Sequence, residues 1–128
     1  MIKKLIIHCS ESPNGRPDTA EDIHLWHIQR GWSGIGYHYV ICVDGAIQSG
    51  RPEYWEGAHC SGHNQDSLGI CLIGTDEFSE AQWLALKHVI TGIKSRYPDI
   101  TIHGHREFSS KLCPGFDVKA WLEAEGLQ

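Results

Sequence analysis

The sequence predicts an α/β (α+β) fold: a central mixed β-sheet flanked by helices on both faces, in a single domain spanning residues 1–128. Three observations predict it. Strand-like and helix-like segments intermix along the chain. Two strand-like runs, KKLIIHC and SLGICLIG, are apolar on both sides and so are expected to be covered on both faces. A chain of 128 residues suits one domain, able to bury roughly two-thirds of its unfolded surface. No internal repeat, linker or low-complexity stretch divides it.

Taken in order, KKLIIHC is the first strand, and His8 falls at its end, ahead of the loop SESPNGRP. DTAEDIHLWHIQRG carries helix punctuation: Asp18 or Thr19 as N-cap, acids in the first turn, Gly31 as the stop. GYHYVICVDGAIQSG reads as two strands joined at Asp44-Gly45, a strong hairpin signal. The segment from Arg51 to Asp66 is rich in Gly, His and aromatic residues and lacks periodicity. A loop that long in a small domain is usually functional. SLGICLIG is a further strand. SEAQWLALKHVITGIKSRYP is a helix opened by a Ser79–Gln82 capping box, with Trp83, Leu86, Ile90, Ile93 and Tyr97 recurring at spacings of three and four. ITIHGH is a short strand, and DVKAWLEAEG a last helix capped by Asp117. Trp26, Trp83 and Trp121 are expected to face the core. His24, His27 and His88 are expected at surface or packing positions.

The composition, 41% hydrophobic and 21% charged with a net charge of −5, is that of an ordinary globular protein. Basic residues are scattered, with Lys3-Lys4 the only adjacent pair, which argues against nucleic acid or an anionic membrane surface as main partner. No run approaches a membrane span, so no membrane insertion is expected. Leu5–Ile7 is too short for the apolar region of a signal peptide. The expectation is cytoplasmic synthesis, with action elsewhere only if other machinery releases the protein. Of five cysteines, Cys9, Cys42 and Cys71 lie in apolar runs and read as small buried thiols. Cys113 differs, because it lies in a polar loop.

Nine histidines are the compositional oddity. His59, His63, His103 and His105 lie in Gly- and Ser-containing stretches, poor places for core histidines and good ones for ligands or substrate contacts. In HGHREFSSKLCPGFD a cysteine follows the second histidine by eight residues, with a lysine two before it. Zinc takes thiolate and imidazole ligands and, in catalytic sites, keeps one position open for water. His105 and Cys113, at opposite ends of a short loop, can both reach one ion, and His8 is the best candidate for a third ligand. Spacing alone leaves coincidence as an alternative. It also leaves His103 in competition with His105, since two residues apart on a strand they point to the same side. Glu107, two residues beyond His105, reads either as a hydrogen-bond partner that orients a ligating histidine or as a solvated or structural carboxylate.

IIHCSES around His8, GYHYVI at 36–41, GxH at 57–59, NxxSLGICLIG at 64–74 and GHREFSSKLCPGFD at 104–117 together resemble a known family. It is the zinc-dependent N-acetylmuramoyl-L-alanine amidases of the phage T-seven lysozyme type, which also include the peptidoglycan recognition proteins. The resemblance implies one Zn2+ per chain held by His8, His105 and Cys113, an active-site Tyr37 and Lys111, and substrate contacts from His59 and Asn64. It implies hydrolysis of the amide between the lactyl group of N-acetylmuramic acid and L-alanine in peptidoglycan, by a phage or prophage endolysin. Such an enzyme reaches the wall through a membrane lesion made by another protein, and is expected to be a monomer. Three other roles exist within the same resemblance: a non-catalytic peptidoglycan binder, a regulator of RNA polymerase, and a cytoplasmic amidase recycling wall fragments. The first is disfavoured because Cys113, Lys111 and Tyr37 are all present. The second ranks low because the N-terminal extension associated with it is largely missing before His8.

Overall fold

In the computed structural model, which describes residues 1–127, five strands form one sheet: β1 (Lys4–Cys9), β2 (Tyr39–Ile41), β3 (Ile47–Ser49), β4 (Ser67–Leu72) and β5 (Thr101–Gly104). Their spatial order is β3-β2-β4-β1-β5. β1 runs parallel to both β4 and β5, β2 runs parallel to β4, and β3 is antiparallel to β2, so the sheet is mixed as expected. Three helices, α1 (Ala20–Gln29), α2 (Glu80–Arg96) and α3 (Val118–Glu125), complete the fold. Among the described residues, no helix is long and apolar enough to cross a membrane.

Local chemistry sets the ends of these elements. Thr19, not Asp18, caps α1: its hydroxyl accepts from the Asp22 N–H, and the Asp22 carboxylate accepts from the Thr19 N–H at 2.8 Å. Ser79 and Gln82 make the same box at α2. Gln82 is fully buried, and its amide also donates to the carbonyls of Ile73 and Ile41, which ties the start of α2 to the sheet. The β2–β3 turn has Gly45 at φ 89°, a conformation that favours glycine, and the Asp44 carboxylate accepts from the Ala46 N–H at 2.9 Å.

The two sides of the sheet follow strand alternation. Leu5, Ile7, Ile41, Leu68, Ile70, Leu72 and Ile102 pack with Leu86, Ile90, Ile93, Val118 and Leu122 of α2 and α3. On the opposite face Val40, Cys42, Cys71 and Ile73 meet Ile23 of α1 and Ile35. Helices therefore cover both faces. Trp26, Trp83 and Trp121 are half-buried against these cores. Of the helical histidines, His88 and His24 are exposed and His27 is buried. His8, His38, Ser67 and Gly69 lie on the α1 face, where the functional side chains gather.

Candidate metal centre

β1 delivers His8 onto the α1 face, 1% exposed. At the far end of the chain, β5 does not continue through His105. The strand ends at Gly104, whose N–H donates to the Glu107 carboxylate at 2.7 Å, and residues 105–107 form a 3-10 turn. This turn separates the two histidines that spacing leaves equivalent. His103 stays with Thr101 Oγ1 at 2.7 Å and Glu107 at 3.1 Å. His105 rotates towards His8, with ring centroids 4.4 Å apart. Glu107 is thus a structural carboxylate at the end of β5.

The loop beyond the turn brings Cys113, 3% exposed, to the end of β1, where the Cys9 N–H donates to its sulfur at 3.1 Å. The candidate ligand atoms of His8, His105 and Cys113 all lie within 4.8 Å of one another. His105 Nδ1 is buried with no hydrogen-bond partner. Buried polar atoms are rarely left so, and an imidazole nitrogen facing another imidazole and a thiol is what a borderline-soft cation needs. The residues fit zinc. Cys9 is buried, as its apolar run predicts, and its sulfur also sits 3.5 Å from that of Cys113.

The electrostatics without a cation favour the uncharged forms. Burial, then the neighbouring His59 and His105, hold the His8 imidazole well below its ordinary 6.5. Burial and the Lys111 charge lower His105. The hydrogen bond with the Cys9 thiol, followed by burial, pushes the Cys113 thiol up. Desolvation opposes charge at all three, so they are waiting for a positive partner to hold the thiolate. Tyr37 lies beside them, its ring 5.0 Å from that of His8. Burial raises its phenol well above 10, so it is a donor at neutral pH. Lys111 is exposed on the loop, near enough for its charge to act on His105.

His59 and Asn64 occupy different ground. His59 is buried, its ring lying over Gly69, where a Cβ would come within 2.7 Å of it. Its Nδ1 is 2.9 Å from His8 Nε2 and its Nε2 is 3.2 Å from Ser67 Oγ. Both ring nitrogens are thus engaged within the protein. The Asn64 carbonyl oxygen accepts from the N–H groups of His59 and Cys60, both at 2.9 Å, and so fixes the loop that carries His59. The long loop from Arg51 to Asp66 does serve the site, but from behind. Arg51 clamps it by donating to the carbonyls of Ile35 at 2.7 Å and Glu56 at 2.6 Å.

Sequence reasoning missed the depth of the histidine cluster. His38 is 1% exposed, accepting from the Gly69 N–H at 3.0 Å while its other nitrogen meets the Trp55 carbonyl at 2.8 Å. His27 accepts from the Gly36 N–H at 3.0 Å. Burial, then the charge of Arg30, brings His27 down to about 4, and burial, then His38, brings His59 down to about 3. The glycine in the middle of SLGICLIG is the signal that could have exposed part of this, because a strand glycine marks a close approach.

The chain matches the family described as N-acetylmuramoyl-L-alanine amidase over residues 1–116. It is 32% identical, over a 131-residue alignment, to the endolysin of Escherichia phage T7, covering 96% of this chain and 87% of that one. It superposes on the solved N-acetylmuramoyl-L-alanine amidase LysC from Clostridium intestinale URNW with a TM-score of 0.87 at 30% identity, covering 97% of this chain and 84% of that one. It also superposes on a Drosophila PGRP-LB mutant in complex with tracheal cytotoxin, with a TM-score of 0.83 at 31% identity, covering 96% and 80% of the two chains.

Proposed function

The chain belongs to the N-acetylmuramoyl-L-alanine amidase family, and on that footing we propose that His8, His105 and Cys113 hold the zinc ion of its active site. The protein is a hydrolase that cleaves the amide joining the lactyl group of N-acetylmuramic acid to L-alanine in peptidoglycan, as a phage-type endolysin. The observation that carries the site assignment is the meeting, within 4.8 Å, of ligand atoms from three distant segments, one of them a buried imidazole nitrogen with no other partner.

When bound, the ion supplies Lewis acidity, polarising the scissile carbonyl and making water nucleophilic near neutral pH. The reaction adds water across the C–N bond, releasing a lactyl carboxylate and the α-amino group of L-alanine. Lys111 holds a fixed positive charge beside the carbonyl oxygen as that oxygen gains negative charge. Tyr37, a phenol whose ring lies 5.0 Å from that of His8, donates a hydrogen bond to the same oxygen. One copy of the chain carries the whole constellation, which supports action as a monomer. The endolysin relatives support action at the cell wall after release through a lesion made by another protein.

The test is digestion of purified peptidoglycan with and without a chelator. New α-amino groups without new reducing sugar ends, abolished by chelation and restored by zinc, are the expected result. Reducing ends, or chelator-resistant cleavage, contradict the assignment.

A further inference from the structure

Resting on that zinc site, we infer that His59 and Ser67 form a directional hydrogen-bond relay that fixes the tautomer and ring orientation of His8, leaving its Nδ1 as the metal-ligating atom.

The relay is polarised from its far end. Ser67 Oγ lies 2.7 Å from the His63 carbonyl, which can only accept, so the single hydroxyl proton of Ser67 points there. Towards His59 Nε2, at 3.2 Å, the same oxygen must then accept, so His59 carries its proton on Nε2. Its Nδ1 is therefore a lone pair, and His8 Nε2, 2.9 Å away, must donate to it. His8 is left with its proton on Nε2 and its lone pair on Nδ1. The opposite assignment would turn the Ser67 proton away from the His63 carbonyl, giving up the short 2.7 Å bond and leaving that oxygen only the longer contact from the Asp66 N–H at 3.4 Å.

The relay is also held rigidly. Ser67 is 1% exposed at the start of β4. The Asn64 side chain fixes the His59 backbone, and Gly69 gives the His59 ring its seat. His38 is not a competing partner, since both of its nitrogens are engaged elsewhere. Metal-ligating histidines commonly donate their second N–H to a carboxylate, a carbonyl or water. Here the acceptor is a neutral imidazole. It orients the ligand without adding negative charge beside the cation, which preserves the Lewis acidity that amide hydrolysis needs. His59 and Ser67 are accordingly positioning residues.

Two measurements test this. Long-range 1H–15N correlation spectra of the metal-free protein, labelled at histidine nitrogen, should show His8 and His59 both protonated on Nε2. Zinc affinity, read by competition with a chromophoric chelator, should fall about tenfold to a hundredfold in Ser67→Ala and His59→Phe. It should be largely restored in His59→Asn, whose carbonyl can accept from His8. In the Ser67→Ala spectrum His59 should become a mixture of tautomers. A wild-type His8 protonated on Nδ1, or folded Ser67→Ala and His59→Phe proteins that bind zinc as tightly as wild type, overturns the relay while leaving the metal site intact. A wild-type protein that binds no zinc overturns the metal site and the positioning role together.

Discussion

Towards α2 and α3, β1 and β4 present Leu5, Ile7, Leu68, Ile70 and Leu72; towards α1, the same two strands present Ile6, His8, Ser67, Gly69 and Cys71. One face is a continuous aliphatic core, in which each fully buried side chain contributes about 1.5–3 kcal/mol. The other gives much of that burial up to imidazoles. His8, His27, His38 and His59 are each less than a tenth exposed, and buried polar groups are tolerable only when hydrogen-bonded. The stability of the first face allows the second to hold polar groups in fixed orientations. The two faces should therefore answer differently to substitution.

The largest expected separation comes from truncating the aliphatic face. Leu86→Ala should cost about 2–5 kcal/mol of stability, read by urea denaturation, while the turnover of the folded fraction stays that of wild type. A matching loss of turnover would mean that the faces are not independent. The reciprocal change is Lys111→Ala, which should lower turnover about a hundredfold or more with zinc content and denaturation midpoint unchanged; unaltered turnover removes Lys111 from the mechanism.

Acid should act on the histidine face next. His59 and His27 sit at about 3 and about 4, below the ordinary 6.5. A histidine whose folded value is depressed contributes stability that is complete above the unfolded value, and lost as pH falls because the unfolded chain takes up protons first. The denaturation midpoint of the metal-free protein should therefore hold above pH 6.5 and decline between 6.5 and about 4. A midpoint flat across that window contradicts the neutral burial of these side chains. The smallest effect belongs to Ser79→Ala at the cap of α2, about 1 kcal/mol of stability and no change in activity. A loss of activity there would tie the α2 face to catalysis.

The aliphatic face was the more legible of the two in the sequence. The capping box at Ser79, the Asp44-Gly45 turn and the doubly apolar runs are local signals, and local chemistry decides them. Periodicity reports which side of a strand faces inward but not which buried polar groups will find partners. It therefore leaves His27 open between surface and packing positions and does not single out His38 as an interior residue. The choice between His103 and His105 could not be made from alternation, because the strand ends at Gly104 under the pull of the Glu107 carboxylate. The family resemblance supplied His105, and the turn gives the physical reason. For His59 and Asn64 the resemblance implies substrate contacts; the structure adds that His59 sits against His8 and that Asn64 holds the His59 backbone. Only closure of the long loop over Gly69 produces that arrangement.

Zinc stoichiometry after equilibrium dialysis of wild type and Cys113→Ser, with circular dichroism on the same samples, tests the shared centre most directly. Wild type should retain one zinc per chain and Cys113→Ser essentially none, with superimposable spectra. A metal-free wild type, or a Cys113→Ser protein that keeps its zinc with undiminished affinity, would show that His8, His105 and Cys113 do not form the site.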